Sequence, residues 1–184
     1  MKKTALTAFA FVFSAMFSAA AVAEVAFVDL AKLEMKSTAF QGIVSQRDRI
    51  VKTYGKKFAD IDKSLQEKQA AIAAEKDKLS QTELGKKIDA LKAEIDAFQN
   101  QQREFSKQMQ EAMVAALKEV QDKAVTPVLK EISADKKFDA VLNLNQALYV
   151  GKNDITDEVI AKVNAKLPKV ELKKINLSAA APKK

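Results

Sequence analysis

The chain has 184 residues, with 31 basic and 24 acidic side chains and neither cysteine nor histidine. That composition excludes disulfides, thiol catalysis, thiolate metal sites and a lipidated cysteine, and it removes the commonest general base and metal ligand. The formal net charge of +7 is unevenly placed: residues 24–164 hold 23 basic and 23 acidic side chains, whereas the stretch from Ala165 onward has six lysines against Glu171. A nucleic-acid-binding face would require clustered Lys and Arg on the folded body, so nucleic acid is not an expected partner.

Residues 1–23 read as a signal peptide. Met1-Lys2-Lys3 is a short basic start, Ala5 to Phe17 is apolar, and Ala21-Val22-Ala23 is a small-x-small cleavage pattern. The mature chain is expected to begin at Glu24 and to be exported. Val25–Leu30 is then a strand candidate, rich in branched and aromatic residues, and Ala31–Phe40 a short helix ending near Gly42.

From Ile43 a seven-residue repeat begins. Val44, Val51, Phe58, Leu65, Ile72 and Leu79 share one core position, while the companion position turns polar toward Lys68 and Glu75. Ser80 and Glu83 fit a capping box, in which each side chain accepts a bond from an orphaned first-turn amide of a returning helix. That helix carries Leu84, Ile88, Leu91, Ile95, Phe98, Gln102, Phe105, Met109 and Ala112 in alternating steps of four and three. Two helices, Ile43–Leu79 and about Thr82–Ala124, therefore form a long antiparallel hairpin. The stripe changes phase near Met109–Met113, as a stutter does, and Thr126-Pro127 kinks or restarts the helix.

Farther on, Phe138–Leu144 reads as a strand, Asn145-Gln146 as a turn and Ala147–Val150 as a hairpin partner. Asp154–Glu158 starts a last helix with Thr156 as its cap, and Val159, Ile160, Val163 and Leu167 give it one apolar side. Residues 165–184, with their lysines, Pro168 and Pro182, are expected to be a basic, disordered tail.

The expected fold class is α+β, mainly α. Residues 24–42 and 124–164 form a small β-containing body, and residues 43–123 form one coiled-coil tentacle per subunit. Three short strands make a poor domain alone and leave exposed edges, so the sheet is expected to be shared between copies. The predicted oligomer body comprises Val25, Phe27, Val141, Leu142, Leu144, Leu148 and Tyr149. The predicted hairpin seam comprises Val51, Phe58, Leu65, Ile72, Leu79, Ile88, Leu91, Ile95, Phe98 and Phe105.

The order of these pieces resembles the Skp/OmpH family of periplasmic chaperones. The resemblance lies in Val25-Ala26-Phe27-Val28-Asp29-Leu30 after a signal peptide, the long charged helical pair, Ala140–Tyr149 and Asp154–Ile160, and it spans residues 24–164. It implies a periplasmic homotrimer whose strands build a central body, with three hairpins around a cavity that holds unfolded outer-membrane proteins without ATP. The family's tentacles are usually basic. Residues 43–124 hold 16 basic and 14 acidic side chains, so the resemblance carries no basic lipopolysaccharide site onto this hairpin. Weak contact of the tail lysines with a membrane surface or lipopolysaccharide stays open.

A holdase needs adaptable apolar surface. Met109 and Met113 are candidate client contacts, with helix-core filler as their plainer reading. The alternative function is an exported coiled-coil structural or adaptor protein docking to an envelope complex. An enzyme is not expected: four scattered glycines form no phosphate loop, and no triad, cofactor site or metal cluster is recognisable.

Overall fold

The computed structural model describes residues 23–177; the expected signal peptide, apart from Ala23, lies outside the described residues. The fold is α+β and mainly helical. Strand β1 (Val25–Val28) is followed by helix α1 (Leu30–Lys36) and then by helix α2 (Thr38–Glu75). Asp29, expected within the strand, ends it instead: its carboxylate accepts from the Lys32 amide at 2.9 Å and caps α1. A second break at Ser37 separates α1 from α2, so one expected short helix becomes a helical elbow. Asn164 Oδ1 there accepts from the Thr38 amide at 2.9 Å, satisfying an orphan donor of α2 from a remote helix.

Helix α2 and the returning helix α3 (Gln81–Val120) span 38 and 40 residues. At a rise of 1.5 Å per residue each reaches about 57–60 Å. The capping box forms: Ser80 Oγ accepts from the Glu83 amide at 3.3 Å, and Glu83 Oε2 accepts from the Ser80 amide at 3.0 Å. The replacement Ser80→Ala is expected to cost about 1 kcal/mol. It should read out as a lower denaturant midpoint with unchanged slope and as faster amide exchange at residues 81–84.

Past Val120 the helix does not stop at a kink. Gln121–Val125 form one π-helical turn that runs directly into α4 (Thr126–Lys136). The Thr126 amide reaches back to the Gln121 carbonyl. A wider turn just before Pro127 lets the helix absorb a residue that has no amide to donate and would clash with the preceding turn. It also rotates the apolar face, so that Val120, Ala124, Val125, Val128 and Ile132 all enter the buried core.

Strand β2 (Ala140–Asn143) pairs with β1 in parallel, with Val25 opposite Ala140 and Val28 opposite Asn143. The expected β-hairpin between residues 138–144 and 147–150 is corrected. Leu144–Gln146 make a short 3-10 turn, and Ala147–Val150 form no strand. The other flank of β1 is covered by residues 153–155: the Phe27 amide donates to the Asn153 carbonyl at 2.9 Å, and the Ile155 amide donates to the Phe27 carbonyl at 3.0 Å. Helix α5 (Thr156–Lys166) then packs across α1 and α4. Thr156 is its first residue rather than its cap. The buried hydroxyl accepts from the Asp29 amide at 2.8 Å and donates to Asp154 at 2.5 Å, locking the strand's end to the helix's start.

The tail differs most from expectation. Ala165 and Lys166 end α5, and residues 167–177 are not a solvated coil but a strap along the base of the hairpin, with Val170 at 3% and Leu172 at 8% exposure. Both belong to the main core cluster, together with Ile43, Ala112, Ala116 and Val163. The lysine content suggested disorder, but burial follows the alternating apolar residues rather than the average charge. Residues 178–184 of the expected tail lie outside the described residues.

Candidate functional site

Two surfaces stand out: the outward face of the small sheet and the seam of the hairpin. In β1, Ala26 and Val28 are buried, so Val25 and Phe27 point to the opposite face and stay half-buried. Register places Ala140 beside Val25 and Leu142 beside Phe27 on that same face. Leu142 remains 43% exposed. In the following connection Leu148 is fully exposed and Tyr149 is 87% exposed. Of the seven residues expected in the oligomer body, Leu142, Leu148 and Tyr149 are thus exposed, and Val25, Phe27, Val141 and Leu144 are half-buried. The residues that close the protomer's own core were not among them: Ala26, Val28, Leu33, Val120, Ile132 and Val159.

The seam expected from the repeat holds through the middle of the hairpin and fails at its base. Leu65 and Phe98 are buried, and Phe58, Ile72, Leu79, Leu91, Ile95 and Phe105 are half-buried. Ile88 is exposed near the tip, and Val51 is 46% exposed and faces solvent. At the base, Ile43 and Ile50 replace Val44 and Val51, one residue out of phase. A straight helix drifts relative to a strict seven-residue repeat, and here the base of α2 must turn its face toward the body and the strap as well as toward α3. The two phases meet at an aromatic cluster. Tyr54 lies 4.8 Å from Phe105, and Phe58 lies 5.8 Å from Phe98 and 5.5 Å from Phe105, the Phe58 pairs edge to face.

Met109 is buried and Met113 is half-buried against the core cluster. Met109 therefore fills the interior and is withdrawn as a client contact. The glutamines Gln46 and Gln108, overlooked in the sequence, instead reach out of the helices at this level and bond the strap. On a helix they look like ordinary surface residues. The only available signal was the spacing of Val170, Leu172, Ile175 and Leu177.

Ion pairs tie the elements of the fold to one another. Across the hairpin Lys68 pairs with Glu94, and Lys87 with Glu75 at 2.5 Å; α5 is tied by Lys32–Asp157 at 2.7 Å and Lys162–Glu131 at 2.6 Å. Hydrogen bonds from Lys87, Lys162, Ser80 and Thr156 hold the carboxyls of Glu75, Glu131, Glu83 and Asp154 below their ordinary values. Asp157 and Glu131 in turn raise Lys32 and Lys162. A depressed carboxylate stabilises the fold above its unfolded pKa, near 4, and that contribution is lost as pH falls through the lower folded value. A raised lysine contributes below its unfolded pKa, near 10.4, and the contribution is lost as pH rises through the higher folded value. With no histidine in the chain, the thermal midpoint is expected to be flat between about pH 5 and pH 9 and to fall below about pH 4. Calorimetry across that range checks it. Among the described residues no group of acidic side chains is arranged to hold a metal ion, and no helix is long and apolar enough to cross a membrane.

A small parallel-stranded body that carries one long helical hairpin defines a body-and-tentacle protein. The chain belongs to the OmpH-like outer membrane protein family, whose model matches residues 24–163. The fold is similar to the crystal structure of a candidate OmpH-like outer membrane chaperone from Caulobacter crescentus CB15. That match has a TM-score of 0.75 and 19% identity, over 85% of this chain and 93% of the other. At that identity the likeness is one of fold. A comparison with curated proteins finds no match.

Proposed function

We propose that this protein is an ATP-independent periplasmic holdase that keeps unfolded outer-membrane proteins soluble before insertion. It works as a homotrimer whose bodies share a sheet and whose hairpins surround the client. The observation that carries the reading is the outward apolar face of Val25, Phe27 and Leu142, followed in the chain by the exposed Leu148 and Tyr149, on a body with a single long arm. One copy leaves that face and the free edge of β2 uncovered, which favours closure by further copies. Family membership and the fold shared with a candidate outer membrane chaperone support the same reading.

Unfolded barrel proteins aggregate because their strands alternate apolar and polar residues and carry unpaired backbone groups. Arms standing around a cavity shield such a chain through many weak contacts. The stability profile expected to be flat between about pH 5 and pH 9 would keep the arms intact without a pH switch. The test is turbidity of a urea-unfolded outer-membrane barrel diluted into buffer. Suppression is expected at a few-fold excess of this protein. Undiminished aggregation, together with one stable folded partner in pull-downs, would replace the holdase with an adaptor that uses the hairpin as a spacer.

A further inference from the structure

The strap is bonded to the hairpin in an unusual way. Gln46 Nε2 donates to the Val170 carbonyl at 2.7 Å, and Gln46 Oε1 accepts from the Leu172 amide at 3.0 Å. Higher up, Gln108 Nε2 donates to the Asn176 carbonyl at 3.1 Å, and its Oε1 accepts from the Asn176 amide at 2.9 Å. Between them the Tyr54 hydroxyl donates to the Ile175 carbonyl at 3.0 Å. All five bonds go to strap backbone. Among the described residues the one ion pair of the strap's own side chains, Lys169 with Glu171, stays within the strap.

Each glutamine amide presents one donor and one acceptor, as a neighbouring strand would. Gln46 brackets Glu171 by taking the carbonyl before it and the amide after it. Gln108 takes both groups of Asn176. Two helices therefore imitate a strand edge for an extended chain lying between them. The side chains follow the same logic in two stretches: Val170 and Leu172 are buried on either side of exposed Glu171, and after the exposed Lys173 and Lys174 shift the phase by one residue, Ile175 and Leu177 are half-buried on either side of exposed Asn176. Such a site reads extended backbone and alternation of apolar residues, and it is indifferent to which residues alternate.

We infer that the cleft at the base of the hairpin, marked by Gln46, Tyr54 and Gln108, is a binding site for extended polypeptide of alternating apolar and polar sequence. Residues 168–177 occupy it in cis as a displaceable stand-in for a client strand. The inference deepens the holdase reading and rests on it for the identity of the client. A tethered occupant acts at an effective concentration of about millimolar. It therefore excludes short, weak or folded partners, and it yields to a long unfolded chain that offers many strands at once. When displaced, Val170 and Leu172 become exposed, so release without a client is disfavoured.

The experiment uses the full chain and its variant Leu172→Asp with Ile175→Asp, which loosens the strap and leaves the cleft intact. The probe is a fluorescent peptide of about ten residues, the length of a transmembrane strand, alternating valine with threonine. The variant is expected to bind it at least tenfold more tightly than the unmodified chain, and a backbone N-methylated copy of the peptide is expected to bind neither. Equal or weaker binding by a folded variant overturns the proposal. Should the variant fail to fold, hydrogen exchange on the unmodified chain decides. The Leu172 and Asn176 amides are expected to exchange at least tenfold faster once an unfolded outer-membrane barrel is added, with Val120 and Val128 unchanged. A barrel held soluble while both strap amides stay protected overturns the cleft and leaves the holdase standing. A barrel that aggregates regardless removes the holdase, and titration of the unmodified chain with the two peptides then decides the cleft.

Discussion

Leu148→Asp combined with Tyr149→Asp is expected to convert the native assembly into a folded monomer. Neither side chain supports the protomer: Leu148 is fully exposed and Tyr149 is 87% exposed, in a connection with no regular pairing of its own. Placed on a free surface, two aspartates would change stability by no more than about 0.5 kcal/mol each. Placed in the centre of an apolar contact between copies, each leaves a charge desolvated without a partner, and removing an aromatic anchor from such a contact commonly costs about 2 kcal/mol or more. Native mass spectrometry and sedimentation should show the mass fall from that of the proposed trimer to that of one copy, with the helical circular dichroism signal kept. An unchanged mass would mean that the sheet is not shared through this face. Client retention should fall with the assembly, because a single arm cannot enclose a chain.

The second large effect falls on the interior. Ile132→Ala is expected to cost about 2–5 kcal/mol, because Ile132 is fully buried among the residues that join α4 to the rest of the body, and the space it leaves cannot fully close. For a chain of this size each kcal/mol lowers the thermal midpoint by about 2–4 °C. Val51→Ala supplies the contrast. By its place in the seven-residue repeat Val51 belongs to the seam, yet it is 46% exposed. Its loss should stay within about 0.5 kcal/mol, partly offset because alanine is the better helix former. A large effect at Val51 would restore the repeat as the true seam and contradict the observed phase. Calorimetry on the two variants side by side separates the cases.

That pair also shows where a sequence is readable. Leu65, Phe98 and the Ser80–Glu83 cap are specified by neighbours three, four and seven residues away, and their places follow from helical geometry alone. At Val51 the same geometry misleads, because the base of α2 serves partners that the repeat does not encode: the body, α3 and the strap.

By itself the sequence determined that the protein has a long antiparallel hairpin, a near-neutral body and no histidine or cysteine chemistry. Local periodicity and composition suffice for those. Tertiary structure alone decided that β1 pairs in parallel with β2 across the whole hairpin, that residues 147–150 are not a strand, and that residues 167–177 lie against the core. A four-residue strand carries too few side chains to state its partner or its direction, so long-range packing chooses both. The strap carries its signal in two short alternating pairs, Val170 with Leu172 and Ile175 with Leu177, among lysines that dominate any average. It can be read only once Gln46 and Gln108 stand opposite it with their side-chain amides turned to its backbone.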